Sequence, residues 1–130
     1  MRILLIEDEP RIRAFIARGL GAEGFVAVDE IDDGRLGLDR ALSEDYELVI
    51  LDLAVPSLDG LAVLGALSRR RPQLPVLVLS AYSDRRTKRE ALSLGACSFL
   101  QKPFALAELL ARVRAQQRRG MHDAVEASAG

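Results

Sequence analysis

The stretch LVILDLAVPSLDG, residues 48–60, decides how this chain is read. Leu48, Val49, Ile50 and Leu51 form a run short enough for a strand and apolar enough to be covered on both faces. The run halts at Asp52, and Pro56, Ser57, Asp59 and Gly60 follow as turn formers. A carboxylate at the end of a buried strand is either a cap or turn residue or a functional group. The ends of the other strands decide between the two.

Four more runs have strand character: RILLI at 2–6, FVAV at 25–28, VLVL at 76–79 and SFLQ at 98–101. Segments of helical length separate them. Ile12, Phe15, Ile16 and Leu20 make one apolar stripe, Leu61, Leu64 and Leu67 a second, and Leu106, Leu109, Leu110 and Val113 a third. A weaker helix is expected over about 35–42, diluted by Gly37. A more polar one is expected over 84–94, with Ser83 or Asp84 as cap and Gly95 as stop. Strand followed by helix, five times over, predicts an α/β domain with a doubly wound, five-stranded parallel sheet and right-handed crossovers. The domain is expected to span residues 1–119, with 120–130, GMHDAVEASAG, a flexible tail or linker remnant.

Composition narrows the function. A chain of 130 residues, 49% hydrophobic and 28% charged, can bury one core and is not of disordered type. Its net charge of −1 gives no bulk attraction to nucleic acid or to an anionic membrane. Trp is absent, which argues against a base-stacking surface. No apolar run approaches the roughly 20 residues that span a bilayer, and the first meets acid after Ile6. One cysteine, Cys97, allows no internal disulfide and fits a reducing compartment, so a cytoplasmic location is expected.

In a parallel sheet, ligands bind beyond the carboxyl ends of the strands. The first run exits into Glu7, Asp8 and Glu9, the third into Asp52, the fourth into Ser80 and the fifth into Lys102 and Pro103. Crowded carboxylates repel unless a cation sits among them, and hard oxygen ligands suit Mg²⁺, with Mn²⁺ as a substitute. Lys102 and Ser80 could hold an anion beside the metal, which describes a phosphoryl-transfer site. Each residue also has a plainer reading. Glu7, Asp8 and Glu9 could cap and charge the first helix, Asp52 and Ser80 could be caps or turn residues, and Lys102 could be solvated. Asp59 before Gly60 reads as a turn former.

These pieces in this order, ILLIEDEP, LVILDLAVPSLDG, VLVLSA, GACSFLQKPF and FALAELLARVRAQQRR, resemble the receiver domain of bacterial response regulators over nearly the whole chain. The resemblance implies a CheY-like, flavodoxin-like sheet of order 2-1-3-4-5. It implies Asp52 as phosphoacceptor for a sensor histidine kinase, and a Mg²⁺ ion held by Asp8, Asp52 and the backbone carbonyl of Ala54, with Glu7 acting more indirectly. Ser80 and Lys102 would contact the phosphoryl group, and the bond to Pro103 is often cis. Phe99 matches an aromatic switch position, its plainer reading being an ordinary core Phe on the fifth strand. Pro56, Gly60 and Pro103 would shape the loops. Ala54 and Tyr82 occupy positions that influence phosphate lifetime. Such a domain catalyses its own phosphorylation and dephosphorylation and is not a metabolic enzyme.

The last helix resembles that of OmpR/PhoB-type winged-helix transcription regulators, which pair through the fourth helix, fifth strand and fifth helix. Lys88 and Glu108 match one ion pair of that homodimer face. Arg112 and Arg119 match basic halves of two others, but Cys97 and Ser98 stand where the acidic partners usually are, which predicts a weakened or altered dimer. Cys97 itself reads as a packed small residue ahead of a redox sensor. His122 lies in the polar tail and does not read as a phosphorelay histidine. No DNA contact is assigned to these residues; DNA would be reached only through an output domain. A stand-alone receiver acting through protein contacts, a phosphorylation-independent interaction module and a small Mg²⁺-dependent phosphatase are the competing functions.

Overall fold

Strands β1 (Arg2–Ile6), β2 (Ala27–Ile31), β3 (Leu48–Asp52), β4 (Val76–Ser80) and β5 (Ser98–Gln101) pair in parallel in the order β2-β1-β3-β4-β5. Helices α1 (Pro10–Ala22), α2 (Gly34–Ser43), α3 (Gly60–Arg70), α4 (Arg85–Ser93) and α5 (Leu106–Ala129) alternate with them. The computed structural model describes residues 1–25, 27–81 and 84–129, with side chains to residue 119 except that of residue 27. Alternate residues of each strand face opposite layers. Ile3, Leu5, Leu48, Ile50, Leu77 and Leu79 meet Ile16 and Leu20 of α1 and Leu109, Leu110 and Val113 of α5. Leu4, Ile6, Val49, Leu51, Val76 and Val78 meet Leu38 of α2, Val63, Leu64 and Leu67 of α3 and Ala91 of α4. Every residue of β3 and β4 is buried, which explains their unbroken apolar runs.

Two expectations need correction. The second strand runs Ala27–Ile31 and not over 25–28. Phe25 is spent on closing α1: its N–H donates to the Leu20 carbonyl at 3.0 Å, Gly24 supplies the left-handed turn (φ 92°), and the ring is buried. The strand that follows has only β1 as a neighbour and therefore tolerates Asp29 and Glu30, which its sequence pattern hid. Asp29 is held by Arg2 at 3.2 Å and by the Tyr46 hydroxyl at 2.6 Å. Phe15, placed in the apolar stripe of α1, is 46% exposed, with its ring tilted against that of Phe104.

The weak α2 has a packing reason. A Cβ on Gly37 would lie 2.6 Å from Ile6 Cδ1, so glycine is what lets the helix approach β1. The backbone of α5 continues as helix through residues 120–129, the segment read above as a tail, whereas the side chain of His122 lies outside the described residues. Among the described residues no helix is long and apolar enough to cross a membrane.

Candidate functional site at the carboxyl edge of the sheet

Among the described residues three polar side chains are buried: Glu7 (0% exposed), Ser80 (1%) and Asp52 (2%). All three stand at the carboxyl ends of the central strands, where burying a polar group costs energy unless it is partnered. Asp52 is the last residue of β3, Glu7 follows β1 and Ser80 ends β4. Lys102 enters between them from the far end of β5, anchored by its N–H on the Ser80 carbonyl at 2.8 Å. Its ammonium lies 2.7 Å from Glu7 Oε1 and 3.2 Å from Asp52 Oδ2. Carboxylate oxygens of Glu7, Asp8 and Asp52 all lie within 4.8 Å of one another. The donor set, hard oxygens with excess negative charge at a rim that Asp8 keeps accessible, fits a divalent cation. The plainer reading of the acidic triplet fails: Glu9 sits at the N-cap of α1 without a side-chain cap bond, and no acid lies in the first turn.

Burial pushes the Glu7 carboxyl up to about 7, with neighbouring Asp52 adding to the rise and Lys102 opposing it. Burial by itself would lower Lys102, but Glu7 and Asp52 outweigh it and hold the ammonium above its ordinary range. A proton and a cation thus share the work of separating two buried carboxylates. This has a measurable sign. Folded protein keeps on Glu7 a proton that the unfolded chain releases near 4.5, so without metal Glu7 lowers stability progressively from pH 4.5 to about 7. Thermal melts in EDTA are expected to show this loss between pH 5 and 7.5. A divalent cation binds the deprotonated site, so its stabilising effect is expected to grow across the same window. A metal-induced shift in Tm that is equal at both pH values would contradict this assignment.

The loop after Asp52 is held from several directions. Ala54 N–H donates to Asp52 Oδ1 at 3.2 Å and fixes the carboxylate rotamer. Gly60 N–H donates to the Leu53 carbonyl at 3.2 Å and closes the loop. Pro56 accepts from Gly34 N–H at 3.0 Å. Ser57, in the left-handed region (φ 69°), donates to Asp33 Oδ1 at 2.7 Å and accepts from Arg35 N–H at 3.2 Å. Asp59, read from sequence as a turn former, accepts from Leu61 N–H at 3.3 Å and stands at the N-cap of α3. The peptide bond from Lys102 to Pro103 is cis. Phe99 is partly buried against the layer formed by α2, α3 and α4.

The remaining candidates lie beside this cluster or outside it. Lys88 and Glu108 border a groove of about 640 Å³ that also reaches Phe99, Lys102 and Arg112. Glu108 accepts from Ala105 N–H at 3.2 Å, a bond at the start of α5, and Arg112 donates to Ser98 Oγ and to the Phe99 carbonyl at 3.0 Å. The arginine expected to lack a partner has therefore found one on its own chain. Arg119 is exposed on α5. Tyr82 lies outside the described residues, as does Ser83, the other proposed cap of α4. Burial raises the Cys97 thiol above its ordinary range, against a reactive thiolate. A second groove, of about 1410 Å³, lies around Met1, Tyr46, Arg71 and Cys97 and contains none of the acidic cluster. Sequence reading missed Arg13, whose guanidinium donates to the Glu7 carbonyl at 2.9 Å and which carries no signal beyond its place on α1.

Residues 3–114 match the family model described as the response regulator receiver domain. The chain belongs to that family. The receiver is 46% identical over 120 residues to the transcriptional activator protein IrlR of Burkholderia pseudomallei, covering 92% of this chain and 52% of that protein. It is also 46% identical, over 118 residues, to the transcriptional regulatory protein HprR of Escherichia coli, covering 91% and 52%. The chain spans about half the length of these curated relatives. Among solved structures, a Francisella response regulator receiver domain superposes with a TM-score of 0.85 at 29% identity, covering 92% of this chain and 98% of that one. DrrB of Thermotoga maritima, an OmpR/PhoB homologue, superposes at 0.82 with 26% identity, covering 92% and 53%. The acidic cluster of this receiver has the architecture of a phosphoacceptor site.

Proposed function

We propose that this receiver accepts a phosphoryl group on Asp52 from a phosphohistidine of a sensor kinase. One observation carries the reading: Asp52, Glu7 and Ser80, buried polar residues, gather at one sheet edge with Lys102 bridging the two acids at 3.2 and 2.7 Å. An Asp52 oxygen attacks phosphorus, the P–O bond forms as the P–N bond breaks, and the leaving imidazole takes up a proton. Asp8, Asp52 and the Ala54 carbonyl would hold Mg²⁺, with Glu7 behind them. Bound there, the ion would neutralise charge on the transferring phosphoryl oxygens. Ala54 N–H keeps the Asp52 carboxylate in one orientation, which lowers the cost of reaching the reactive geometry. Lys102 supplies a positive charge already desolvated by its surroundings, and Ser80 a hydroxyl donor. Incubation with a small phosphodonor and Mg²⁺ is expected to add one phosphoryl group by intact mass; equal labelling in EDTA would overturn the metal role.

Phosphorylation exchanges the single carboxylate charge of Asp52 for about two charges on the phosphoryl oxygens, a net gain of about one. Ser80 and Lys102 move toward them, and Phe99 follows on the face formed by α4, β5 and α5. That face is the proposed output surface, serving a transcription-regulating domain such as the names of the relatives indicate. Dimerisation through it is inferred to be weakened, because Arg112 is turned to Ser98 and Phe99 of its own chain. Surface ion pairs contribute only about 0–1 kcal/mol each, so losing two can decide a marginal interface.

A further inference from the structure

The loop between β1 and α1 carries two of the three acids, yet the start of α1 has no side-chain cap and opens on Pro10, which lacks an N–H. Instead a residue one turn into the helix reaches back. Arg13 Nη1 donates to the Glu7 carbonyl at 2.9 Å and lies 3.5 Å from the Asp8 carbonyl. On its other side Arg13 Nε lies 3.6 Å from Glu30 Oε1 on the edge strand β2, which aims the planar guanidinium. Its side chain is mostly buried.

We infer that Arg13 is a positioning residue of the metal site, holding the backbone of Glu7 and Asp8 so that their carboxylates converge with that of Asp52. The inference rests on the proposed Mg²⁺ reading of that cluster. It has a sign that separates it from simple electrostatics. A cation beside an acidic cluster repels Mg²⁺, so an Arg13 that acted only through charge would loosen the ion, and its removal would tighten binding. An Arg13 that orders the ligand loop does the opposite, because outer contacts that orient ligands are typically worth about 10–100-fold in metal affinity. Lysine can replace one contact but cannot span the carbonyls and Glu30 with a fixed fork.

The test is a Mg²⁺ titration followed by amide chemical shifts, on the parent, Arg13→Gln and Arg13→Lys. Melting in EDTA is recorded beside it. The Mg²⁺ Kd is expected to rise about tenfold in Arg13→Gln and by less in Arg13→Lys. Phosphoryl uptake is expected to be slow at limiting Mg²⁺ and to return close to the parent rate at saturation. A Kd that is unchanged or lower in both variants would overturn the positioning role. So would a rate defect that saturating Mg²⁺ leaves in place and that tracks Tm in EDTA. A parent that binds no Mg²⁺ would sink the metal reading itself, and is distinguishable because it needs no variant.

Discussion

Lys102→Met is expected to bind Mg²⁺ more tightly than the parent and yet to accept a phosphoryl group about 100-fold more slowly. The two effects have one origin. The ammonium lies 2.7 Å from Glu7 and 3.2 Å from Asp52, so in the metal-free protein it neutralises charge that a divalent cation would also neutralise. Removing it abolishes the competition and leaves two buried acids with a stronger demand for a cation. Glu7 then holds its proton to still higher pH when no metal is present, because the Lys102 contact is what opposes the rise. During transfer the balance reverses. Losing one preorganised donor at a site of developing negative charge typically costs about 10²–10³ in rate. Parallel measurement of Mg²⁺ Kd and of the labelling rate at saturating Mg²⁺ checks both halves. A slower rate with weaker metal binding would mark Lys102 as a structural counterion only.

Gly60→Ala is expected to cost about 1–3 kcal/mol of unfolding free energy. A Cβ at this position would lie 2.4 Å from Leu53 Cα and 2.6 Å from Leu53 O. Both are backbone atoms in the residue next to Asp52, so no rotamer change relieves the clash. Relief requires the loop that carries Ala54 to move, and the Gly60-to-Leu53 hydrogen bond at 3.2 Å must lengthen with it. Two other glycines calibrate the effect. At Gly37 the obstruction is the buried side chain of Ile6, met at Cδ1, Cγ1 and Cγ2, and not backbone, so Gly37→Ala is expected to cost less than Gly60→Ala. At Gly21 nothing lies within 4 Å, and on a helix Gly21→Ala is expected to be neutral or stabilising by about 0.5–1 kcal/mol. Urea unfolding of the three variants orders them; equal losses at Gly60 and Gly21 would show that backbone contact at Leu53 does not matter.

Much of this was legible in the chain because strand ends are punctuated. An apolar run that stops on Asp52, one that stops on Glu7 and one that stops on Ser80 place three polar groups at one edge once the sheet is taken as parallel. The parallel sheet itself follows from unbroken runs separated by helical stripes. Edges were less legible. β2 carries Asp29 and Glu30 because it pairs on one side only, and its apparent start, Phe25, belongs to the close of α1. Contacts between side chains and distant backbone were not legible at all. Arg13 on the Glu7 carbonyl and Arg112 on the Phe99 carbonyl depend on where helices lie on the sheet, which spacing along the chain does not encode. Lys102 was readable as a strand-end cation, but its bridging of Glu7 and Asp52 needed the distances.

Asp52 is proposed as the phosphoryl-accepting group of a cleft whose carboxylates suit a divalent cation. Intact mass of the parent and of Asp52→Asn, after equal exposure to a small phosphodonor with Mg²⁺, tests it most directly. The account predicts one phosphoryl adduct on the parent and none on Asp52→Asn, with both proteins folded by circular dichroism. An adduct of equal yield on Asp52→Asn, or none on the parent at saturating donor and Mg²⁺, would contradict it.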